Sequence, residues 1–180
     1  MAQTEQPAPR VKWGPLELAS DISKLNAWAF MFASFFAIGL IAFFNVGQPY
    51  ILTEMIGLDS GEFGQVTALL QVTSEIIAII LIPIFGVLSD RIGRRVIMVF
   101  AFVLLGVGYG LYAFATSVPE LLIYRGIATI GISAMAGMMA TIANDYPSDK
   151  SRGMFIGIHS VFNSLGVIFL VGNLGGLPQR

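Results

Sequence analysis

Two long apolar segments of the chain are joined by the sequence Gly86-Val87-Leu88-Ser89-Asp90-Arg91-Ile92-Gly93-Arg94-Arg95. This stretch is called the charged motif below. Asp90 and Arg91 lie between its two glycines, and Arg94 and Arg95 follow the second glycine. A connection so short and so basic is typical of a cytoplasmic loop between two membrane helices. The charged motif therefore predicts a membrane protein and indicates which side of the membrane this connection occupies.

The composition of the chain also predicts a membrane protein. Hydrophobic residues make up 56% of the 180 residues, charged residues make up 12%, and the mean hydropathy is +0.78. These values exclude an ordinary soluble domain. The net charge of -1, with no basic stripe outside the short loops, argues against a nucleic-acid partner. Because the chain has no cysteine and one histidine, we expect no metal site and no bound cofactor.

Five apolar segments indicate the fold class, and they cover residues 25–51, 63–88, 96–116, 119–143 and 154–175. As a helix, each segment is long enough to cross about 30 Å of hydrocarbon. The alternating pattern of a membrane barrel is missing. We therefore expect an all-α integral membrane protein with five transmembrane helices. Residues 1–24 then form a cytoplasmic tail, in which Pro15 to Leu25 is compatible with a short interfacial helix, and residues 176–180 form the outer-side end.

The distribution of lysine and arginine predicts the orientation of these helices. Basic residues precede the first helix and lie between the second and third and between the fourth and fifth, namely Arg10, Lys12, Lys24, Arg91, Arg94, Arg95, Lys150 and Arg152. The other two connections contain none. Since basic residues stay on the cytoplasmic side, the N-terminus is predicted to be cytoplasmic. The compact loops favour a bacterial inner membrane.

The charged motif resembles the signature between the second and third helices of the major facilitator superfamily, a large group of secondary transporters. Arg125 with Gly131 resembles the fourth-helix motif of that family, with Thr129 at the position of another glycine. Asp145-x-Pro147 with Arg152-Gly153 resembles its loop into the fifth helix. The resemblance implies five helices of a six-helix N-terminal bundle, a small-molecule solute, and a missing C-terminal half as a partner of this truncated chain.

The same resemblance assigns a cytoplasmic gate to Gly86, Asp90, Arg91, Gly93, Arg94 and Arg95. Asp90 and the arginines around it would hold the two halves of the transporter together and release them as the inner side opens. The two glycines remove side chains where helix ends pack or turn. An alternative remains open, in which the arginines only set the topology and bind anionic lipid headgroups.

Glu75 is the acidic residue nearest to the predicted membrane midplane. An ionised side chain at that depth costs roughly 2.5–3.5 kcal/mol on insertion scales, so it needs a cavity, a cation or a proton. Thr67, Gln71 and Glu75 follow each other at helical spacing and form a polar stripe that we expect to face the bundle interior. Two interpretations are open: substrate contact or proton coupling, and a protonated carboxyl that only holds helices together.

Arg125 is predicted to lie about 9 Å from the outer end of the fourth helix, by helical rise. Its side chain either extends outward to the membrane surface or serves a solute pathway or a helix pair, with Glu75 as the most plausible counter-ion. Asn45 and Gln48, near the outer end of the first helix, either line an entrance or cap the helix end.

His159 and Asn163 share one face of the fifth helix. One interpretation is a neutral imidazole that is hydrogen-bonded between helices. The other is a protonatable member of a relay along the solute pathway.

Two functions of different class follow from the sequence. The first is the N-terminal portion of a secondary active transporter that moves a small solute by alternating access, with proton coupling through Glu75 as an option. The second is a non-transporting membrane scaffold or sensor, or an inactive truncated product. No hydrolase, kinase or redox constellation is found in the sequence, so an enzyme is not expected.

Overall fold

The structure is a computed structural model that describes residues 11–174. It contains five helices long and apolar enough to cross a membrane, which confirms the predicted all-α membrane fold. The first ten residues of the predicted tail and the predicted outer-side end at 176–180 lie outside the described residues. In chain order the elements are β1 (Val11–Trp13), β2 (Leu16–Leu18), α1 (Lys24–Tyr50), a π-helical turn (Ile51–Met55), α2 (Ser60–Ile92), α3 (Arg94–Tyr112), α4 (Val118–Asp145) and α5 (Arg152–Leu174).

Helix α1 begins at a capping serine and ends in a widened turn. The Oγ of Ser23 accepts a hydrogen bond from the backbone N–H of Asn26 at 3.1 Å, which satisfies one of the free donors of the first turn. Near the other end, Pro49 has no N–H to donate to the helix ladder. The backbone continues as a π-helical turn to Met55, and the hydroxyl of Thr53 donates to the carbonyl of Pro49 at 3.0 Å.

Helices α2 and α3 are separated by a single residue, Gly93. Its φ of +96° lies in the region that favours glycine, and its N–H donates to the carbonyl of Ser89 at 2.9 Å. Asp90 and Arg91 therefore belong to the last turn of α2, so most of the charged motif is helical. Gly86 lies within α2, and a Cβ atom added there would meet nothing within 4 Å.

Helix α4 is the central helix of the bundle. In its most apolar window 61% of residues are buried, against 17% for α2. Small residues allow α3 to approach it closely: a Cβ atom on Gly108 would lie 2.6 Å from the Cβ of Ala128, and one on Gly131 would lie 2.8 Å from the backbone N of Leu105. Helix α2 packs along another side of α4.

Helix α1 packs mainly along α5, and the two backbones touch at a pair of glycines. A Cβ atom on Gly39 would lie 2.5 Å from the carbonyl oxygen of Gly166. A Cβ atom on Gly166 would clash with the carbonyl of Phe35. The bundle thus consists of a group formed by α2, α3 and α4 and a pair formed by α1 and α5.

The segment before α1 forms a small antiparallel hairpin that packs on the loop between α4 and α5. Leu18 pairs with Pro147, and the N–H of Ser148 donates to the carbonyl of Glu17 at 2.8 Å. The side chain of Leu18 is fully buried. The expectation of an interfacial helix over Pro15 to Leu25 is therefore wrong, because this backbone takes its hydrogen bonds from the α4–α5 loop instead of from a helical turn.

Candidate functional site

Arg125 is a buried cation in the first half of α4, with 4% of the residue exposed. Its Nε donates a hydrogen bond to the hydroxyl of Ser74 at 2.9 Å, and its Nη1 donates to the Oε1 of Gln48 at 2.9 Å. Its Nη2 lies 3.1 Å from the Oδ1 of Asn45 and 3.5 Å from the Oε1 of Gln71. The guanidinium is therefore bonded into the bundle and does not extend outward to the membrane surface.

The acceptors around Arg125 come from two other helices. Together with Thr129 they form the Arg125 cluster, which consists of Asn45, Gln48, Gln71, Ser74, Arg125 and Thr129. Asn45 and Gln48 lie three residues apart on α1, and Gln71 and Ser74 lie three apart on α2, so each pair shares a helix face. The hydroxyl of Thr129 lies 3.2 Å from that of Ser74. The cluster thus joins α1 to the group of α2, α3 and α4.

Glu75 contacts Arg125 only through Gln71. The Nε2 of Gln71 donates to the Oε1 of Glu75 at 3.0 Å, while the Oε1 of the same amide faces Arg125. Both Gln71 and Glu75 are exposed on the surface of the five-helix bundle, although the sequence predicts that they face its interior. Within residues 11–174, no carboxylate oxygen lies within 4 Å of an Arg125 nitrogen. The predicted counter-ion pair is therefore connected through an amide.

An aromatic wall closes the other side of the guanidinium. The Cζ of Arg125 lies 4.9 Å from the ring centroid of Phe44, a distance typical of a cation–π contact. The rings of Tyr109 and Tyr112 pack on Phe44 with centroid distances of 4.9 and 4.3 Å. These three rings also line an apolar cavity of about 430 Å³ between α1 and α3. Phe44 thus belongs both to this apolar cavity and to the surroundings of Arg125.

His159 lies at the contact between α1 and α5, and its hydrogen-bond partners do not belong to the Arg125 cluster. Its Nε2 lies 3.0 Å from the Oγ of Ser34, and its ring stacks on Phe30 with a centroid distance of 4.9 Å. Asn163 is near the same ring nitrogen, at 3.5 Å. The imidazole therefore has a partner on the neighbouring helix, as the interhelical interpretation predicts, and among the described residues nothing links it to Glu75.

Three of the four charged residues of the charged motif are exposed. Asp90 is exposed and, among residues 11–174, its carboxylate has no hydrogen bond or ion pair. Arg94 forms an ion pair with Asp145 at the end of α4, while Arg91 and Arg95 are exposed. The carboxylate of Asp90 is therefore open to a partner outside the described bundle.

The sequence did not predict that Arg125 contacts Ser74, Thr129 and Phe44. Serine in an apolar helix is a weak signal, because its hydroxyl can bond its own helix, as Ser74 does with the carbonyl of Leu70 at 2.9 Å. The position of Ser74 three residues after Gln71 is the one available clue. In the described part of the chain, no group of three or more acidic or histidine side chains is arranged to hold a metal ion.

Comparison with known proteins decides the family. The sequence profile of the Major Facilitator Superfamily matches residues 30–177. The chain belongs to the major facilitator superfamily. This membership and the five apolar helices make it an integral membrane protein, and they confirm the resemblance carried by the charged motif.

Curated relatives of this superfamily chain come from bacteria and fungi. The magnetosome protein MamZ of Paramagnetospirillum magneticum is 30% identical over 119 residues, which are 61% of this chain and 18% of MamZ. The multidrug resistance protein fnx1 of Schizosaccharomyces pombe is 37% identical over 95 residues, or 53% of this chain and 18% of fnx1. The multidrug transporter protein MdtP of Bacillus subtilis is 27% identical over 124 residues, or 69% of this chain and 22% of MdtP. The chain thus spans about a fifth of the length of these relatives.

Proposed function

We propose that the chain is the N-terminal portion of a secondary active transporter that moves a small solute across a membrane by alternating access. The observation that carries the proposal is the Arg125 cluster. Its buried guanidinium is connected through Gln71 to the carboxylate of Glu75, which lies midway along the apolar helix α2 and is exposed on the bundle surface. Membership of the superfamily and the similarity to MdtP, a multidrug transporter protein, support the same function.

The energetic cost of the Glu75 charge favours a functional site. An ionised group at the centre of a membrane helix, where Glu75 lies, costs roughly 2.5–3.5 kcal/mol on insertion scales. A bundle that served only as a scaffold would gain no compensating benefit from Glu75, which is exposed and has its one described side-chain contact within its own helix. A carboxylate in this place fits the wall of a water-filled pathway.

Glu75 is the residue through which we propose proton coupling. Its Oε1 accepts from Gln71, and its Oε2 has no partner among the described residues, so a proton can bind there without breaking a contact. Arg125 on α4 is the charged group that faces it through the Gln71 amide, and α1 contributes only the amides of Asn45 and Gln48. Protonation would weaken Glu75 as an acceptor for Gln71 and thereby change the contact between Gln71 and Arg125.

Asp90 supports a gate that involves a second half of the transporter. Its exposed carboxylate and the exposed guanidinium groups of Arg91 and Arg95 offer charges to a partner. Because the relatives are about five times as long as their matched parts, we propose that a C-terminal half follows and supplies that partner. The distribution of basic residues supports a cytoplasmic N-terminus, in a membrane that we propose to be a bacterial inner membrane.

Uptake by the complete protein in proteoliposomes tests this function. A panel of small organic solutes would be assayed with and without an imposed proton gradient, for the wild type, Glu75→Gln and the matched control Glu62→Gln on the same helix. We expect gradient-driven uptake in the wild type and the control and its loss in Glu75→Gln. Uptake that responds to the gradient equally in all three would exclude coupling through Glu75. Absence of uptake for every solute would favour the scaffold function.

A further inference from the structure

We propose that His159 is a proton-binding site, separate from Glu75, at which an added proton reverses the hydrogen bond between α5 and α1. The His159 site consists of His159 and Asn163 on α5 and of Phe30 and Ser34 on α1. His159 is 8% exposed, and the transport function proposed above assigns it no role. The arrangement of its neighbours allows the imidazole to be held in either charge state.

An unprotonated Nε2 fits the two groups that face it. This nitrogen lies 3.0 Å from the Oγ of Ser34 and 3.5 Å from the Nδ2 of Asn163. The amide nitrogen can only donate a hydrogen bond, whereas the hydroxyl can donate or accept. Among residues 11–174 the hydroxyl of Ser34 has no other hydrogen-bond partner, so it donates to the imidazole. The neutral ring therefore carries its proton on Nδ1 and accepts at Nε2.

The same side chains can also hold the protonated ring. An added proton on Nε2 is donated to the oxygen of Ser34, whose hydroxyl then turns to a carbonyl of its own helix, as that of Ser74 does at 2.9 Å. Asn163 offers a second acceptor, because its Oδ1 is buried and has no hydrogen-bond partner among the described residues. A flip of this amide brings Oδ1 to Nε2 and leaves Nδ2 in the place of Oδ1. One amide atom lacks a partner in either orientation, so the flip costs no hydrogen bond.

The aromatic ring stacked on the imidazole also suits a charged ring. Phe30 lies 4.9 Å from His159 between ring centroids, with an angle of 16° between the ring planes, so the two rings meet face to face. The face of an aromatic ring attracts a cation. A hydrogen bond donated by a charged group is also stronger than one between neutral groups. Both contacts offset part of the cost of burying the imidazolium charge.

Few other ionisable groups face His159. Tyr146, at the end of α4, reaches it only through Phe30, with 5.7 Å between the centroids of the tyrosine and phenylalanine rings. Arg94 and Asp21 act electrostatically on that tyrosine. Among residues 11–174 no carboxylate oxygen lies within 4 Å of the imidazole nitrogens. The balance between the two charge states is therefore set mainly by the side chains of the His159 site.

Nitrogen-15 NMR of the complete protein in bilayers, with labelled histidine and asparagine, tests the proposal. An unperturbed imidazole loses its proton near about pH 6.5, so spectra are compared from about pH 8 to about pH 5. The signals of His159 are identified by their loss in His159→Gln. We expect its Nδ1 alone to be protonated at the upper pH and both ring nitrogens at the lower pH, with the amide signal of Asn163 shifting at the same midpoint. The matched control Glu75→Gln should leave this titration unchanged.

Ser34→Ala distinguishes the proposed site from an imidazole that titrates without its partners. The hydroxyl binds the charged ring more strongly than the neutral one, so its removal should weaken proton binding at His159 about three- to tenfold. The midpoint of the titration should then fall by about half to one pH unit. Thermal unfolding checks that this variant, which lacks a single oxygen atom, is folded.

Four results would overturn the inference. They are an Nε2 already protonated at the upper pH, a ring that gains no proton at the lower pH, an Asn163 amide signal that does not follow the titration, and an unchanged midpoint in Ser34→Ala. Loss of the folded spectrum before the imidazole titrates counts as the second of these results. Because the measurement concerns proton binding alone, each of them leaves the proposed transport function standing.

Discussion

Replacement of Arg125 by alanine should destabilise the bundle more than replacement of any exposed arginine, because Arg125 connects α1 to α2 and α4. The substitution removes four hydrogen bonds and a cation–π contact. Interhelical hydrogen bonds in membranes average about 0.6 kcal/mol, so four such bonds contribute about 2 kcal/mol. The acceptors here bind a charged group, and bonds of that kind contribute about 1.5–3 kcal/mol each in soluble proteins.

We therefore expect Arg125→Ala to lower the free energy of unfolding by about 2–4 kcal/mol. Arg125→Lys keeps the charge but has a shorter reach and no planar fork, so it should recover less than half of the loss. The exposed Arg95 offers the matched control, for which Arg95→Ala should change the free energy by less than about 0.5 kcal/mol.

The assay is reversible unfolding of the purified complete protein in mixed detergent micelles, followed by tryptophan fluorescence. Trp13 and Trp28 report on the region where the hairpin meets α1, with ring centroids 5.1 Å apart. A stability of Arg125→Ala equal to that of Arg95→Ala would refute the reasoning, since it would mean that the buried hydrogen bonds contribute nothing net. Full recovery by Arg125→Lys would show that the charge alone matters.

Three further substitutions test the packing, each by a separate measurement. Gly166→Ala should destabilise by about 2 kcal/mol, since its Cβ would meet the α1 backbone, whereas Gly172→Ala on the same helix should be neutral; denaturant unfolding compares them. Gly93→Ala should cost about 1–2 kcal/mol because of its positive φ, and Gly86→Ala should cost nothing, as thermal unfolding would show. Leu18→Asp should detach the hairpin and speed hydrogen exchange of the α4–α5 loop amides at least about tenfold, and unchanged exchange would contradict the hairpin's role.

The five helices could be predicted from sequence because the membrane imposes long apolar segments on every crossing. Helix ends were less predictable. Helix α2 extends from Ser60 to Ile92, beyond the apolar run at both ends, because polar residues continue a helix outside the hydrocarbon without any hydropathy signal. The hairpin at residues 11–18 was missed for a related reason: its three-residue strands are held by the α4–α5 loop, which lies more than a hundred residues away.

The site was only partly predictable. Arg125, Gln71 and Glu75 stood out because polar groups are costly inside apolar helices. Which of them meet could not be read from the chain, since Arg125 lies 80 positions from Asn45 and 51 from Ser74. The contact depends on how three helices pack around α4. Local spacing predicts a helix face, and tertiary packing then determines the partner of that face.

The central claim is that the Glu75 face of α2 borders a water-filled pathway, and cysteine accessibility tests it most directly. This chain has no cysteine, so Val72→Cys in a complete protein otherwise lacking cysteines places one thiol within a turn of Glu75. We predict reaction with a membrane-impermeant maleimide at a rate that changes when a proton gradient is imposed, and no reaction for Val103→Cys, which we expect to face lipid on α3. A thiol at position 72 that stays as unreactive as the one at position 103 would contradict the account.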